Sequence, residues 1–207
     1  MMDFRHIIFD FNGTLVNTNE IMWNILDELI KGSHFKSLAP KDFDDPRILP
    51  WPKKVTVLIF SLKYQRVFFE RYSNSFSKIN FADGVKPMLT MLNENNRSFS
   101  IISSNSSEMI KRFFALHNIP VKSVYQAHRL LGKKKAIKAF MKQNGCNARD
   151  IVYIGDEKRD VETCNKCGTD SIYVTWGYGG DEDVSGYNVK AVVKSPAELF
   201  EVLITEK

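Results

Sequence analysis

The stretch His6-Ile7-Ile8-Phe9-Asp10-Phe11-Asn12-Gly13-Thr14-Leu15-Val16-Asn17 constrains the fold more than any other part of the chain. Ile7, Ile8 and Phe9 form a short apolar run with no polar alternation, the pattern of a strand buried on both faces. Asp10 ends the run, Gly13 permits a tight turn, and Asn17 or Thr18 can cap a helix. A carboxylate is thus set at the carboxyl end of a buried strand, beside a turn rich in backbone N–H groups. In an open α/β sheet, ligands bind at that place. The carboxylate can act as nucleophile or metal ligand, and the N–H groups can receive an anion. A single strand-end Asp can equally do no more than order its turn, so the later strand ends decide between the two.

The rest of the chain repeats the pattern. Glu20–Ile30 carries Ile21, Ile25, Leu26 and Leu29 at helical spacing, and Gly32 stops it. Residues 33–53 lose periodicity and hold Pro40, Pro46, Pro50 and Pro52, which reads as a loop. A second helix is expected from Lys54 to Tyr72, with Phe60, Tyr64, Phe68 and Phe69 as packing residues. Residues 17–82 therefore read as a helical insertion without strands. From Phe81 onward, helices and strands alternate. Gly84 and Pro87 open a helix, Ser98–Ser103 is a strand, and Asn105-Ser106-Ser107-Glu108 has the form of a capping box for a helix to His117. Val121–Tyr125, Ile151–Ile154, Ser171–Thr175 and Ala191–Val193 read as strands, and Lys133–Asn144, Asp160–Cys167 and Pro196–Thr205 as helices. This alternation predicts an α/β fold, a doubly wound, mostly parallel, Rossmann-like sheet.

Composition narrows the function. The 207 residues carry a net charge of +5, which favours anionic ligands, but the lysines are scattered apart from Lys133-Lys134-Lys135 and no nucleic-acid motif is present. No segment approaches a membrane span, and Asp10 breaks the N-terminal apolar run before it reaches signal-peptide length. A cytoplasmic protein is expected, with no nucleic-acid or membrane partner. Nothing sets an oligomeric state, and the monomer is the default. Cys164 and Cys167 form one C-x-x-C, with Cys146 the third cysteine. Zinc would need two more ligands, so these read as small packing residues in a reduced compartment.

Four strand ends carry polar residues. The first offers Asp10 and Asn12, and the second Ser103, Ser104 and Asn105. Lys133 opens the helix after the third strand. Asp156 and Asp160 follow Ile151–Ile154, four residues apart. Acidic oxygens, a hydroxyl and a lysine together suit magnesium and phosphate, because Mg²⁺ prefers oxygen ligands and keeps waters and substrate phosphate, while the hydroxyl and ammonium can hold phosphoryl oxygens.

With these residues in place, the sequence resembles the haloacid dehalogenase-like phosphohydrolases, in particular their phosphoglycolate-phosphatase-like branch. The resemblance is carried by Phe9–Leu15, Ile102-Ser103-Ser104-Asn105, Gly132-Lys133 and Ile154–Asp160, and less strongly by Phe81–Val85 and Val174–Tyr178. It implies a core domain of residues 1–16 and 83–207 and a small helical cap of residues 17–82. It implies that Asp10 is a nucleophile that takes the phosphoryl group, and that Asp10, Asp156 and the backbone carbonyl of Asn12 ligate Mg²⁺, with Asp160 acting through water or by orienting its neighbours. Ser104 and Asn105 would bind the phosphoryl group, and Lys133 would neutralise it. The implied substrate is a small phosphorylated molecule.

One position departs from the family pattern. Phosphatases of this kind carry a second Asp where this chain has Asn12. That Asp protonates the leaving group and then deprotonates water, and an amide does neither. General acid–base catalysis contributes about 10²–10⁴-fold, so slowed turnover is expected, least slowed for good leaving groups. Two other readings stand beside a slowed phosphatase. One is a weak or inactive relative that binds a phosphate ligand or partner. The other is a metal-independent dehalogenase, which Asp156 and Asp160 at metal-ligand spacing argue against. Trp51, Lys53, Lys63, Tyr64 and Arg66 are candidate substrate contacts in the cap, and His34 is a candidate acid.

Overall fold

The computed structural model describes residues 4–43, 46–127 and 132–204. The end of the last expected helix at Thr205, and parts of the expected domain ranges (residues 1–3, 44–45, 128–131 and 205–207), lie outside the described residues. The chain divides into two compact units, Met1–Asn17 with Asn80–Lys207, and Thr18–Ile79.

The first unit is built on a six-stranded sheet: β1 (His6–Phe9), β2 (Phe99–Ser103), β3 (Ser123–Gln126), β4 (Ile151–Gly155), β5 (Asp170–Val174) and β6 (Ala191–Val193). The spatial order is β3-β2-β1-β4-β5-β6 and every pairing is parallel. The chain moves outward from β1 through β2 to β3, then returns to the other side of β1 at β4. The order therefore reverses at β1, and a crevice opens beyond the carboxyl ends of β1 and its neighbours. Register sets those ends side by side: Phe9 pairs with Ile101 on one flank and with Ile154 on the other.

Helices cover both faces, which is why β1, β2 and β4 are buried along nearly their whole length without alternation. On one face Ile8, Ile102 and Tyr153 pack with Ala136, Ile137 and Phe140 of α5 (Gly132–Asn144) and Cys164 of α6 (Lys158–Cys167). The other face is aromatic. Phe9 meets Phe99 edge-on at 5.6 Å, Phe99 lies 5.9 Å from Phe114, and Phe11 lies 5.3 Å from Phe113. Each such buried ring contributes about 1.5–3 kcal/mol through removal from water. The remaining helices of this unit are α3 (Val85–Glu94), α4 (Ser107–Leu116) and α7 (Pro196–Ile204). Cys164 is buried and Cys167 half-buried, both as free thiols, and Cys164 takes the packing role.

In the second unit α1 (Asn19–Lys31) packs on α2 (Trp51–Ser75). Phe60 is its aromatic centre, with Phe35 at 5.5 Å, Phe43 at 5.2 Å and Tyr64 at 4.8 Å. Buried Asp42 accepts from the Ala39 N–H at 2.7 Å and from Lys53 at 2.8 Å.

The structure corrects several expectations. The loop of residues 33–53 holds two short 3-10 turns, Pro40–Phe43 and Pro46–Ile48. The second helix starts at Trp51 rather than Lys54, because Pro52 sits in its first turn, where the missing N–H has no partner to lose. Phe69 is exposed rather than packed inside. The capping box at Asn105 does not form: Ser106 is the N-cap of α4, and the Asn105 amide is engaged elsewhere.

Candidate functional site

Asp10 follows β1 directly, its N–H donating to the Ile154 carbonyl at 2.8 Å. The next residues close a tight loop: the N–H groups of Leu15 and Val16 donate to the Phe11 carbonyl, and that of Gly13 to the Val16 carbonyl. Gly13 has φ +79°, and a Cβ there would lie 2.1 Å from Asp156 Oδ2, so both conformation and space demand glycine. The loop thereby lets the backbone that follows β1 touch the carboxylate at the end of β4.

Three carboxylates converge. Asp10, Asp156 and Asp160 are all buried and each offers an oxygen within 4.8 Å of the others. Asp156 Oδ1 accepts from the Thr14 hydroxyl at 2.8 Å, and its Oδ2 from the Tyr178 N–H at 2.7 Å. Asp160 lies in the first turn of α6. One of its oxygens accepts from Lys133, and the other, Oδ2, is buried with no hydrogen-bond donor. Lys133, in the first turn of α5, also donates to Asp10 Oδ2 at 2.7 Å, while Asp10 Oδ1 accepts from the Phe11 N–H at 2.8 Å. Across the β1–β2 boundary, the Asn105 amide donates to Asn12 Oδ1 at 3.0 Å. Ser103 Oγ accepts from the Asn105 N–H at 3.3 Å, and half-buried Ser104 lies between these two residues.

The electrostatics follow from three acids sharing one ammonium. Burial pushes the Asp156 carboxyl well above its ordinary range, and Asp10 and Asp160 add to the rise. Burial raises Asp160 to about 7; Lys133 opposes that rise and Asp10 adds to it. Burial works against the Lys133 ammonium, but Asp10 and Asp160 more than offset this and hold it above its ordinary value. The cluster thus sets three buried acids against one ammonium, and leaves one oxygen without a donor. An oxygen-only donor set of this kind fits a hard divalent cation such as Mg²⁺.

The expected residues therefore fall into two groups. Asp10, Asp156, Asp160 and Lys133 form one cluster, and Asn12 with Asn105 forms a bonded pair beside Ser104. Within the helical unit, Lys53 is paired with Asp42, Lys63 lies over the rings of Phe35 and Tyr64, Trp51 is exposed, and His34 stacks on Phe35. Sequence reasoning missed the support of Asp156. Besides Thr14 and the Tyr178 N–H, the Trp176 indole donates to the Thr14 carbonyl at 3.0 Å. A Cβ on Gly177 would lie 2.3 Å from the Asp156 side chain, and one on Gly179 would lie 2.2 Å from its carbonyl oxygen. Two glycines within the run Trp176-Gly177-Tyr178-Gly179 were the available signal of a loop lying against another backbone.

A family profile described as haloacid dehalogenase-like hydrolase matches residues 7–174. A phosphoglycolate phosphatase from Synechococcus elongatus is 25% identical over 206 residues, covering 95% of this chain and 96% of the relative. Pyrophosphatase PpaX from Listeria innocua is 21% identical, covering 97% of both. Among solved structures, a haloacid dehalogenase-like hydrolase from Streptococcus pneumoniae shares the fold with a TM-score of 0.75 at 18% identity, covering 98% of this chain and 100% of that one. A HAD family hydrolase from Deinococcus radiodurans, solved with bound phosphate and sodium, gives a TM-score of 0.71 at 17% identity, covering 99% and 97%. With a profile match over most of its length and the α/β sheet to accompany it, this chain belongs to the haloacid dehalogenase-like hydrolase family.

Proposed function

We propose that this protein is a Mg²⁺-dependent phosphatase of small phosphate esters, working through a phosphoryl-enzyme on Asp10 and slowed by Asn12. The observation that carries the reading is the Lys133 ammonium bonded to both Asp10 and Asp160, with Asp156 in the same buried cluster. A structural ion pair needs one carboxylate for one ammonium; the two further acids leave room for a divalent cation and a phosphoryl group. The names of two relatives, phosphoglycolate phosphatase and pyrophosphatase, point to small phosphorylated molecules, the first an ester and the second an anhydride.

Asp10, Asp156 and the Asn12 carbonyl would hold Mg²⁺, with Asp160 acting directly or through water. The cation would supply charge neutralisation at the phosphoryl oxygens. The Asp10 carboxylate attacks phosphorus, the ester P–O bond breaks, and an aspartyl-phosphate results. Lys133, Ser104 and Asn105 hold phosphoryl oxygens as charge redistributes. Water then attacks the aspartyl-phosphate and restores Asp10. Both halves run fastest with a proton carrier at position 12, first to the leaving oxygen and then from water. Asn12 supplies none: its Oδ1 already accepts from Asn105, and an amide does not exchange protons near neutral pH. Without a carrier, the leaving oxygen departs as an anion that takes its proton from solvent, and the attacking water gives its proton to solvent. On this reading residues 17–82 act as a cap that selects the substrate, with Lys53 and Tyr64 as candidate contacts, and residues 1–16 and 83–207 as the catalytic core.

A second reading rests on Asn12 alone: a relative that binds a phosphate ligand or partner without turning it over. Hydrolysis of p-nitrophenyl phosphate, with and without Mg²⁺, separates the two. Its aryl leaving group needs little protonation, so only the water-activating half of the reaction should gain from Asn12→Asp. The expected result is slow Mg²⁺-dependent turnover by the parent and faster turnover by Asn12→Asp, with a smaller gain than the ~10²–10⁴-fold expected for an alkyl phosphate. If neither protein turns over under any metal condition, the binding reading replaces the phosphatase. Halide release from a small haloacid without metal, in a protein that leaves p-nitrophenyl phosphate untouched, would instead point to the metal-independent dehalogenase.

A further inference from the structure

Helix α2 is apolar on two opposite sides. One side, with Val57, Phe60, Phe68 and Tyr72, is buried. On the other, Trp51, Val55, Leu58, Ile59, Leu62 and Phe69 are exposed, Trp51 at 76% and Leu62 at 64%. Steps of four, three, one, three and seven residues keep these six on a single stripe of an α-helix. Single exposed apolar residues are ordinary, but a contiguous stripe along one helix marks an interaction surface.

We propose that this stripe is the interface of a homodimer, in which the α2 helices of two copies pack antiparallel about a two-fold axis. Four of the stripe's six residues are symmetric about residue 60, while Val55 and Ile59 mirror Gln65 and Ser61. Leu58 and Leu62 stand two residues to either side, and Trp51 and Phe69 nine residues to either side. An axis at residue 60 sets Leu58 against the partner's Leu62 and Trp51 against the partner's Phe69, the self-complementarity that an isologous contact requires. The size also suits a second copy. A large side chain presents about 150–250 Å², so six at these exposures offer roughly 600 Å² per copy. The symmetric pair then buries about 1,200 Å², where specific interfaces begin.

Charge sets the response to salt. Lys54, Lys63 and Arg66 border or enter the stripe, with Glu70 the one acid among these flanking positions. Two copies therefore repel at low ionic strength, and salt tightens the dimer by screening. An anionic lipid surface, which a basic amphipathic helix also suits, gives the opposite trend.

Sedimentation equilibrium of the full chain, at low and high salt, tests this. The expected result is a species of twice the 23.8 kDa chain mass that strengthens with salt. Leu58→Glu with Leu62→Glu, both at exposed positions, should keep the far-UV circular dichroism and weaken association about a hundredfold or more. A wild-type chain that stays at monomer mass at every concentration overturns the proposal, as does a dimer unaffected by the double substitution. A monomer that co-sediments with phosphatidylserine vesicles, and releases them at high salt, overturns it in favour of a lipid surface.

Discussion

Without metal, the buried acids should make the protein less stable as pH rises through neutrality. Asp160 has a folded value of about 7 against an ordinary 3.8, so the folded state holds a proton that the unfolded chain has already released. A carboxyl raised on folding contributes stability at low pH, and that stability is lost as pH climbs from the unfolded value through the folded one. The two values stand about three pH units apart, and at about 1.36 kcal/mol per unit the loss amounts to about 4 kcal/mol over the whole window. Roughly 3 kcal/mol of this falls between pH 5 and pH 8, or about 6–12 °C in melting temperature for a chain of this size. Asp156 moves in the same direction. His6 and His117, lowered chiefly by burial, act oppositely and add stability as pH rises past their unfolded value. The informative quantity is therefore the difference between wild type and Asp160→Asn. Thermal melts in EDTA from pH 5 to pH 8 should show wild type losing stability relative to Asp160→Asn. Millimolar Mg²⁺ should restore the wild type at pH 8, because a ligand bound only by the folded state stabilises it. If the two proteins have parallel pH profiles in EDTA, Asp160 is ionised throughout and burial does not raise its carboxyl.

Two further outcomes test the support of Asp156. Gly13→Ala combines a positive φ, costing about 1–2 kcal/mol for a residue with a Cβ, with a 2.1 Å overlap on Asp156 Oδ2. It should lower the urea midpoint and abolish Mg²⁺ binding measured by calorimetry; a normal midpoint with normal Mg²⁺ affinity would mean the loop is free to move away. Trp176→Phe removes the indole donor to Thr14 and should cost about 0.5–1.5 kcal/mol of stability. It should also raise the Mg²⁺ dissociation constant several-fold, and an unchanged constant would show that Thr14 is held by other contacts.

The strands and their polar ends were legible in the sequence because local patterns encode them. Three apolar residues followed by Asp10, or Ile151–Ile154 followed by Gly155-Asp156, need no knowledge of the remainder of the chain. Boundaries that depend on neighbours were less legible. Pro52 looked like loop material, yet the first turn of α2 accommodates it. Asn105 had the spacing of a cap, but a partner 93 residues away, Asn12, takes its amide. The contacts of Asp156 were hidden for the same reason: Tyr178 donates from its backbone, so the identity of the residue carries no signal. Phe69 satisfies helical periodicity on either side of α2, and only the packing reveals which side faces out.

The place of β1 at the centre of the sheet has a consequence for how the protein is made. Ile7 finds its neighbour on one flank in Phe99, and on the other in Val152. During synthesis at about 5–20 residues per second, this apolar strand waits several seconds for its first partner and longer for its second. Until β2 emerges, both edges of β1 are open to pairing with any other nascent strand, and one stays open until β4 follows. The helical segment of residues 18–79, made of local contacts that form quickly, is complete before either partner emerges. The central strand is therefore the first part of the sheet to be translated, yet β2, made later, is flanked on both sides before it, which makes the newly made chain a state more exposed to aggregation than the finished protein.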